Sequence, residues 1–485
     1  MHILQATSEF YPYSKTGGLA DMVAGLSGAL ADMGYEVTIV TPLHRGIKDE
    51  HSRLKPTRFT LRIPMGRRVV KSYVRKIVPR RNLTVLFVDQ PKYYDREGIY
   101  MENGTGYPDN PERFIFFSKA VVQIAGKLRR KPDVIHCHDW QTGLIPLLLQ
   151  NTKFRGSKVS VPGTCLSIHN LAYQGVCDAR NYRLTNLPRN YFTSSGVEFY
   201  GQLNFMKAGL VSADQLTTVS PQYASEIMTP EFGEGLEGVV RQRVGNLSGI
   251  LNGVDYTQWR TTGNPHLHFD YSTQDLFGKN RNKAALLGEL GLPCKRKMPP
   301  LYAYVGRLAD QKGVDLILKT IPRWLTKSGR MFVLLGNGDP RLESKFRQMQ
   351  KDFPNSVCCH IGYHEPMAHL IEAAADFFLM PSRFEPCGLN QLYSLRYGTI
   401  PIVNDVGGLS DTVIDVTKNP RIGNGIKLTE HSPEGLLRAL RASAKLYCNR
   451  DRLNRIRKRA MRANFEWEHS AKAYLRIYKS SHKRR

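Results

Sequence analysis

The chain of 485 residues is 41% hydrophobic and 23% charged, which is typical of globular proteins and excludes disordered and collagen-like chains. At about 150 residues per domain, this length predicts two or three domains. The 69 Lys and Arg residues outnumber the 42 Asp and Glu residues, and the resulting net charge of +27 favours acidic ligands or surfaces.

Short apolar or β-branched runs alternate with helical patterns, which predicts parallel βαβ units. In the first half of the chain, strands are predicted at 3–6, 37–41, 83–88, 134–137, 165–168 and 216–219. The pattern starts again after residue 255, with strands predicted at 301–305, 332–335, 377–380 and 400–403 and a helical stretch at 283–290. The sequence therefore predicts an α/β protein with two doubly wound halves.

The first candidate site follows the first predicted strand, which we expect to end near Glu9. Residues 15–19, Lys-Thr-Gly-Gly-Leu, open a predicted helix whose apolar residues recur at helical spacing. A glycine pair at a helix start lets backbone N–H groups approach an anion, and Lys15 adds a positive charge. Close packing of the glycines explains this pattern equally well when it stands alone.

Two cationic side chains follow the strand predicted at 301–305. Arg307 can bind phosphate through its planar guanidinium group, and Lys312 adds a point charge five residues later. Two cations at one strand end indicate a phosphate site, because ligands of open α/β sheets bind beyond the carboxyl ends of the strands. Surface solubility is the alternative explanation for such a pair considered alone.

The loop at 382–391 lies between a predicted strand and a helical pattern. Its Glu385 offers an acceptor for hydroxyl groups, and residues 387–389, Cys-Gly-Leu, offer backbone donors where we expect the helix to begin. This combination suits a phosphorylated ligand with many hydroxyl groups. A carboxylate that only stabilises the helix dipole is the alternative for this loop considered alone.

Several common cofactor motifs are absent from the sequence. Residues 336–338, Gly-Asn-Gly, lack the third glycine of the dinucleotide fingerprint, and the P-loop sequence does not occur. His136 and His138 lie on one face of a predicted strand, but neither they nor residues 358–360, Cys-Cys-His, have the spacing of a structural zinc site. We expect no metal site. His169, considered alone, is better explained as a hydrogen-bonded structural residue than as a catalytic one.

Two segments hold much of the excess positive charge. Residues 67–81 contain seven basic residues and no acid, and residues 449–463 contain seven basic residues and one acid. Neither segment has the heptads, zinc spacing or aromatic signature of a nucleic-acid-binding module. We expect solvated basic faces, with weak association with polyanions as the alternative.

The sequence predicts a cytoplasmic protein. Its N-terminus lacks the basic segment and long apolar run of a secretory signal. Apolar runs such as 144–149 are much shorter than the roughly 20 residues that span a membrane. The eight cysteines are dispersed singly, without a disulfide framework, so we expect reduced thiols.

Motifs along nearly the whole chain, in order, resemble those of bacterial glycogen synthases and plant starch synthases. They are Lys-Thr-Gly-Gly-Leu-Ala-Asp at 15–21, Tyr-Asp-Arg at 94–96, His-Asp-Trp at 138–140, His-Asn-Leu-Ala-Tyr-Gln-Gly at 169–175, the segment 204–210, Thr-Thr-Val-Ser-Pro at 217–221, Asn-Gly-Val-Asp at 252–255, the segment 306–313, Ile-Gly-Tyr-His at 361–364, Arg-Phe-Glu-Pro-Cys-Gly-Leu at 383–389 and Gly-Gly-Leu at 407–409. So many motifs in one order indicate a common family rather than chance.

The resemblance implies the GT-B fold, an α/β fold in which two Rossmann-like, doubly wound domains face each other across a cleft. It places an N-terminal domain, on the acceptor side, at 1–255 and a C-terminal domain, which binds the nucleotide sugar, at 256–465. A C-terminal helix at 466–485 is then expected to return to the N-terminal domain. Donor binding is expected to favour closure of the domains and to exclude water.

The resemblance also implies the reaction. Glucose moves from ADP-glucose to the non-reducing end of an α-1,4-glucan, either glycogen or a malto-oligosaccharide, with retention of the anomeric configuration. No metal and no cofactor are expected, because two fixed cations can stabilise the charge that grows on the diphosphate as the glycosidic bond breaks. Neither a membrane nor a specific nucleic acid is expected as a partner.

The functional residues of the family fall on matching positions of this sequence. By resemblance, the catalytic set is His169, Glu385, Arg307, Lys312 and Lys15. The substrate-binding set is Gly18, Asp21, Glu9, Tyr94, Asp139, Asn252, Tyr363, Cys387, Gly388 and Leu389.

The resemblance gives most of these residues a role. Arg307 and Lys312 are expected to hold the diphosphate, while the backbone N–H of Gly18, assisted by Lys15, binds the distal phosphate. Glu385 and the backbone of residues 387–389 are expected to bind the glucose hydroxyls. The remaining roles are contact with the sugar near its reacting face for His169, completion of the sugar pocket for Asp139 and Asn252, and stacking on adenine for Tyr363.

Three segments depart from the family pattern. Val406 stands where the family has threonine before Gly-Gly-Leu, which removes a hydroxyl group near the expected donor site and leaves nucleotide selectivity open. Residues 423–426, Gly-Asn-Gly-Ile, and 259–261, Trp-Arg-Thr, also differ, with effects expected on packing and the hinge. Two alternatives stay open, a related retaining transferase with another donor or a short acceptor, and a non-enzymatic polyanion-binding protein on the same scaffold.

Overall fold

The structure, a computed structural model, describes residues 1–102, 104–151, 161–294, 298–326 and 329–483. The chain forms two units, one comprising Met1–Gly253 with Trp467–Arg485 and the other Val254–Glu466. In both units, parallel strands are connected by helices. The α/β class predicted from the alternating pattern is therefore confirmed.

The first unit is built on a mainly parallel sheet. The strands of this unit are β1 (His2–Ala6), β2 (Glu36–Pro42), β3 (Lys55–Met65), β4 (Arg68–Arg80), β5 (Leu83–Asp89), β6 (Met101–Glu102), β7 (Thr105–Gly106), β8 (Val134–His138), β9 (Gly163–Ile168), β10 (Val176–Cys177), β11 (Glu198–Phe199), β12 (Gln202–Asn204), β13 (Gln215–Thr218) and β14 (Leu247–Gly249). The large sheet has the order β14-β13-β9-β8-β1-β2-β5-β4-β3. Its strand order reverses between β1 and β8, so the loops after these two strands meet at a typical ligand-binding position.

The six strands predicted in this half correspond to β1, β2, β5, β8, β9 and β13, with ends that differ by one or two residues. All five residues of β1 and of β8 are buried. Because helices cover both faces of a parallel sheet, such strands have continuous apolar runs that are easy to recognise. The first strand ends at Ala6 rather than near Glu9, so Glu9 lies in the loop that follows it.

Sequence analysis missed the antiparallel hairpin formed by β3 and β4, which contains most of the basic segment 67–81. Alternate residues such as Leu61 and Val74 are buried, whereas Tyr73 on the outward face is 62% exposed. A strand with one solvated face has only every second residue apolar, and here cations such as Lys71 and Arg75 occupy several of the other positions. The solvated basic face expected for this segment is the outward face of the hairpin.

Helices cover both faces of the first sheet. They are α1 (Gly18–Asp32), α2 (Ile47–Glu50), α3 (Pro91–Tyr94), α4 (Asn110–Lys127), α5 (Ile145–Gln150), α6 (Tyr182–Thr185), α7 (Phe205–Ser212), α8 (Pro221–Glu226) and α9 (Glu237–Gln242), together with the C-terminal helix Trp467–Lys483. The C-terminal helix packs on α1, where a Cβ on Gly25 would lie 2.0 Å from the indole nitrogen of Trp467. No helix in the described part of the chain is both long enough and apolar enough to span a membrane.

The second unit has a parallel sheet. Its strands are β15 (Leu301–Val305), β16 (Met331–Gly336), β17 (Val357–Ile361), β18 (Phe377–Met380), β19 (Ile400–Val403) and β20 (Ile426–Lys427). They have the order β17-β16-β15-β18-β19-β20. The order reverses between β15 and β18, and the loops after these strands contain the cations and the carboxylate singled out in the sequence.

The helices of the second unit are α10 (Phe277–Glu289), α11 (Val314–Leu325), α12 (Pro340–Asp352), α13 (Glu365–Ala374), α14 (Asn390–Arg396), α15 (Gly407–Thr412), α16 (Pro433–Cys448) and α17 (Arg450–Met461). The helical stretch predicted at 283–290 is the second half of α10. The four predicted strands of this half are confirmed as β15, β16, β18 and β19, whereas β17 and β20 were missed. Their patterns are weak, because β17 contains Cys-Cys-His and β20 has two residues.

A buried group of charged residues joins α10 and α17 to the start of β18. Asp376, which is 2% exposed, accepts hydrogen bonds from Lys283 Nζ at 2.5 Å and from the backbone N–H of Leu301 at 2.9 Å, and it also pairs with Arg457. Burial by itself raises the pKa of Asp376, but Lys283 and Arg457 outweigh this effect and hold the pKa below its ordinary value of 3.8. The carboxylate therefore stays charged inside the unit.

The basic segment 449–463 differs from its prediction. It forms α17 and its flanks, and Arg457 in this segment is 2% exposed. Arg459 donates from Nε to the backbone oxygen of Gly423 at 2.8 Å. The expectation of a solvated basic face is therefore wrong for Arg457, and Arg459 is half-buried, because paired or hydrogen-bonded cations can leave the solvent.

We expect Asp376→Asn to lower the free energy of unfolding by about 3 kcal/mol, because it leaves Lys283 and Arg457 as buried cations without a counter-charge. Urea unfolding of the purified chain measures this change. Asp405→Asn is the matched control, because Asp405 is half exposed and pairs with Lys427, so its loss is expected to cost less than about 1 kcal/mol. Equal losses of unfolding free energy in Asp376→Asn and Asp405→Asn would contradict the role of Asp376 as the counter-charge of two buried cations.

The buried carboxylate of Asp376 also predicts that the stability of the fold depends on pH. Since the pKa of Asp376 in the folded chain lies below its ordinary value of 3.8, its contribution is fully present above the unfolded pKa. It is lost as the pH falls through the folded pKa. Unfolding measurements from pH 6 down to pH 3 are therefore expected to show a smaller loss of stability in Asp376→Asn than in the unsubstituted chain.

Candidate active site

The candidate residues of the first unit lie mainly in the loops after β1 and β8, where the strand order reverses. Glu9, which is 2% exposed, accepts hydrogen bonds from the backbone N–H of Thr16 at 2.5 Å and from its hydroxyl at 2.7 Å. It also accepts from the hydroxyl of Tyr100 at 2.6 Å. These contacts give Glu9 a structural role in holding the start of α1, while direct contact with a substrate stays a prediction.

The glycine pair lies at the start of α1. Gly17 is the N-cap residue without a side-chain cap, and Gly18 is the first helical residue. A Cβ on Gly17 would meet no atom of the described residues within 4 Å, so close packing does not explain Gly17. Lys15 Nζ lies 2.8 Å from Asp21 Oδ1 in a partly exposed ion pair. A cation therefore lies next to a helix N-terminus whose backbone a ligand can approach.

Asp139 and two histidines connect the ends of β8 and β9. Asp139 has a φ of 56°, and its Oδ1 accepts the backbone N–H of His169 at 2.7 Å. The two ring nitrogens His138 Nδ1 and His169 Nε2 are 3.0 Å apart. Burial raises the pKa of the Asp139 carboxyl to about 7, and burial lowers the pKa of His169 to about 3. The site therefore presents a neutral imidazole beside a carboxyl group that titrates near neutral pH.

Asn252 and Tyr94 have different surroundings. Asn252 follows β14, is 6% exposed, and its side-chain oxygen has no hydrogen-bond partner among the described residues. Buried polar atoms are nearly always paired, so this oxygen is available to a polar ligand. Tyr94 is 1% exposed, and its hydroxyl donates to the backbone oxygen of Arg113 at 3.1 Å. This geometry gives Tyr94 a packing role, and its contact with substrate stays a prediction.

In the second unit, an ion pair joins the loops after β15 and β18. Lys312 Nζ lies 2.9 Å and 2.6 Å from the two carboxylate oxygens of Glu385. The hydroxyl of Ser382 donates to Glu385 Oε2 at 3.0 Å. Glu385 is 5% exposed, so its charge is buried and balanced by Lys312. The structure thus brings together two residues that the sequence places at the ends of different strands.

Three glycines let neighbouring backbone pack directly against the loop after β18. A Cβ on Gly313 would lie 1.8 Å from the backbone oxygen of Pro381, and one on Gly407 would lie 2.0 Å from that of Glu385. A Cβ on Gly408 would lie 2.0 Å from the backbone oxygen of Cys387. Since Gly313 and Gly407 also have positive φ values, no other residue fits these two positions without strain.

Arg307 is exposed and lies in the loop after β15. Its backbone oxygen accepts a hydrogen bond from the hydroxyl of Tyr304 at 2.6 Å. The glycines at 336 and 338 support this loop, because Cβ atoms there would lie 2.0 Å from the backbone oxygen of Gly306 and 2.3 Å from that of Leu308. Packing therefore explains the Gly-Asn-Gly segment without a dinucleotide.

The remaining candidates lie around the same edge of the second sheet. The helix predicted to open at 387–389 is confirmed, since Leu389 is the N-cap of α14, which begins at Asn390. Gly388 has a φ of 70°, and Cys387 is buried. Tyr363 follows β17, two strands from β15, and is 70% exposed. The structure thus places the residues 387–389 beside Glu385 and leaves most of the Tyr363 side chain exposed at the same edge.

Comparison with known proteins identifies the family. A model described as the starch synthase catalytic domain matches residues 2–242, and one described as glycosyl transferases group 1 matches residues 294–462. Glycogen synthase of Opitutus terrae is 42% identical over 482 residues, which is 99% of this chain and 100% of the relative. The chain belongs to the glycogen and starch synthase family. Glycogen synthase of Anaeromyxobacter dehalogenans is similar to the same extent, with 44% identity over 99% of both chains.

Solved structures agree with this assignment. The catalytic domain of starch synthase IV from Arabidopsis thaliana, bound to ADP and acarbose, has a TM-score of 0.90 and 32% identity over 99% of both chains. Sucrose-phosphate synthase from Thermosynechococcus elongatus has a TM-score of 0.63 at 16% identity over 100% of both chains and supports the fold alone. The chain is thus a hexosyltransferase with the GT-B fold, as the motifs predict.

Sequence reasoning missed several residues that hold these sites in place. Tyr100 donates to Glu9 from 91 positions away along the chain. Ser382 donates to Glu385, and Gly313 allows the contact between the Lys312 and Glu385 loops. Gly313 was visible only as part of a motif. No local pattern marks Tyr100 or Ser382, because their partners lie in other segments or depend on the loop conformation.

The contacts of the glycines predict a difference between two substitutions. Gly407→Ala is expected to lower the free energy of unfolding by at least about 2 kcal/mol more than Gly291→Ala, because its Cβ would overlap the backbone of Glu385. Gly291 is the matched control, since it also has a positive φ but its Cβ would meet no described atom within 4 Å. Urea unfolding measures the free energy of unfolding of both variants. Equal losses would contradict the prediction, because they would show that the loop after β18 can move away from the added Cβ.

Proposed function

We propose that this chain transfers glucose from ADP-glucose to the non-reducing end of an α-1,4-glucan, with retention of the anomeric configuration. The observation that carries the proposal is the ion pair between the half-buried Lys312 and the buried Glu385, with the exposed Arg307 in the same loop as Lys312. This edge combines cations that suit a diphosphate with a carboxylate that suits sugar hydroxyls. Family membership and similarity to a starch synthase bound to ADP and acarbose support the same substrates.

In the proposed reaction, the bond between C1 of glucose and the diphosphate oxygen breaks, and the diphosphate leaves with the electron pair. The oxygen of an acceptor hydroxyl bonds to C1 on the face that the diphosphate leaves, which retains the anomeric configuration. Its proton passes to the departing diphosphate oxygen. Arg307 and Lys312 stabilise the negative charge that grows on the diphosphate, because cations that are already in place need no reorganisation. Glu385 orients Lys312 through two short contacts.

In the first unit, we propose that the start of α1 binds the distal phosphate. The backbone N–H of Gly18 lies at a helix N-terminus, where the dipole favours an anion. Lys15 adds a positive charge, and its pairing with Asp21 keeps it next to that helix. The open space around Gly17 supports this proposal, since a ligand can approach the backbone there.

We propose sugar-binding roles for Glu385 and for two residues of the first unit, Asn252 and His169, with Asp139 as a supporting residue. Glu385 accepts hydrogen bonds from glucose hydroxyls, while the unpaired oxygen of Asn252 accepts one further hydroxyl hydrogen. His169 contacts the sugar near its reacting face as a neutral ring. Asp139 positions His169 through the backbone bond of 2.7 Å.

The adenine of the donor is proposed to stack on Tyr363. This ring is 70% exposed at the edge that holds Arg307, and the stacking of a base on an aromatic ring tolerates different bases. Val406 lies before Gly407 and offers no hydroxyl group. Selectivity for ADP over UDP therefore depends on the remaining polar groups of the edge.

The proposal predicts glucose incorporation into glycogen from ADP-glucose by the purified chain, in the presence of a chelator. Glu385→Gln is expected to lower kcat/KM at least about 100-fold, because the amide loses the charge that holds Lys312 and is a weaker acceptor for sugar hydroxyls. Glu434→Gln is the matched control, since Glu434 forms an exposed ion pair with Arg323. Its kcat/KM is expected to equal that of the unsubstituted chain.

The same assay separates the alternatives. Incorporation from UDP-glucose alone would replace the proposed donor and leave the reaction class intact. Incorporation from neither donor into either glycogen or malto-oligosaccharides would contradict the proposed function. Full activity of Glu385→Gln would instead contradict the placement of the site in the loop after β18.

A further inference from the structure

A buried chain of hydrogen bonds runs from His169 to the C-terminal helix Trp467–Lys483. We propose that Tyr478 on this helix is a positioning residue that determines which ring nitrogen of His169 carries the proton. The inference rests on the proposed function, in which His169 contacts the donor sugar. It gives the C-terminal helix a part in the reaction beyond its packing on α1.

The near part of the chain links His169 to Tyr478 through two side chains. His138 Nδ1 lies 3.0 Å from His169 Nε2, and His138 Nε2 lies 2.8 Å from the side-chain oxygen of Gln5. The amide nitrogen of Gln5 donates to the hydroxyl oxygen of Tyr478 at 3.3 Å. Gln5, His138 and Tyr478 are each 0% exposed, so water does not compete for the bonds among these three residues.

The far part of this chain of hydrogen bonds continues from Tyr478 across the sheet. The hydroxyl of Tyr478 lies 2.8 Å from His136 Nδ1, and His136 Nε2 lies 2.7 Å from the hydroxyl of Ser167. Ser167 and Thr217 share a hydrogen bond of 2.5 Å. Thr217 also forms a hydrogen bond with Cys165. Tyr478 is therefore the link between two histidine-containing branches.

The three histidines in this chain of hydrogen bonds are neutral at physiological pH. Burial lowers the pKa of His169 to about 3 and lowers the pKa values of His136 and His138 well below the ordinary range. A neutral imidazole has one nitrogen that donates and one that accepts. The direction of one bond on a ring therefore determines the direction of the other.

The orientation of Gln5 determines the direction of the near branch. Because its oxygen faces His138, Nε2 of His138 must donate, and Nδ1 of His138 must accept. His169 then donates from Nε2 to His138, which leaves Nδ1 of His169 without a proton. With the amide of Gln5 turned around, every bond of this branch would reverse, and His169 would carry its proton on Nδ1.

The hydroxyl of Tyr478 selects between these two directions. It has one proton. In the structure it accepts from the amide of Gln5, so its own proton is available to His136 Nδ1, which lies 2.8 Å away. The reversed branch would require it to donate to Gln5 and to accept from His136 instead. Removing this hydroxyl leaves the amide of Gln5 without its partner, and both orientations of the amide then become available to His138.

The direct test is the protonation of His169 in Tyr478→Phe. In the full chain carrying ¹⁵N-labelled histidine, the ring signals of His169, assigned by comparison with His169→Asn, are expected to show a protonated Nε2. Tyr478→Phe is expected to show a mixture of both protonated forms. Its kcat is expected to fall in proportion to the share of His169 in the wrong form, about twofold for an equal mixture, with a smaller change in KM for ADP-glucose, because loss of the correct tautomer impairs the reaction more than binding.

Tyr474→Phe is the matched control on the same helix. Tyr474 lies one turn earlier, is also 0% exposed, and its ring centroid lies 5.4 Å from that of His136. Its hydroxyl does not connect Gln5 with His136. Tyr474→Phe is therefore expected to keep the protonation of His169 and the kcat of the unsubstituted chain.

Two results would overturn the inference. One is an unchanged protonation of His169 in Tyr478→Phe. The other is an equal fall of kcat in Tyr474→Phe, which would indicate a general effect on packing. If the unsubstituted chain transfers no glucose, the proposed function fails, and the ring signals still decide whether Tyr478 determines the protonation of His169.

Discussion

Direct contact between backbone segments at three glycines is the constraint on which the second unit's site depends. Gly313, Gly407 and Gly408 each occupy a position where a Cβ would lie 2.0 Å or less from a carbonyl oxygen of the loop after β18. This contact brings the Lys312 loop against the Glu385 loop, so that the two side chains pair with little exposure to water. An ion pair held in this way is preorganised for a charged ligand, because the cost of ordering it is met during folding.

The first unit achieves order at its site by a different means. Its polar groups lie at the reversal between β1 and β8 and are connected by hydrogen bonds that continue to the C-terminal helix. Burying so many polar groups is favourable only when they are paired, and neutral histidines can pair as both donors and acceptors. Asn252 is an exception, with an unpaired buried oxygen where the proposed sugar would lie. A buried oxygen that has no partner among the described residues is well suited to binding a polar ligand.

The high positive charge of the chain has more than one structural explanation. Arg457 and Arg459 hold the second unit together through a buried ion pair and backbone oxygens. Arg307 and Lys312 lie at the strand-order reversal and are proposed to bind phosphate. The hairpin of β3 and β4 instead displays its cations on an outward face at the edge of its sheet, where charge discourages pairing with other strands. The net charge by itself therefore identifies no partner.

The amino-acid sequence by itself determined the fold class, ten strands of the two sheets and the strand-end positions of Lys312 and Glu385, because strands buried on both faces have continuous apolar runs. It also determined the family, through motifs spread along the chain. Only the tertiary structure decided that Lys312 pairs with Glu385, 73 residues away, and that Tyr478 meets Gln5, 473 residues away. It likewise revealed the hairpin with one solvated face and the burial of Arg457. Such contacts depend on strand order and on packing between distant segments, which local sequence patterns do not encode.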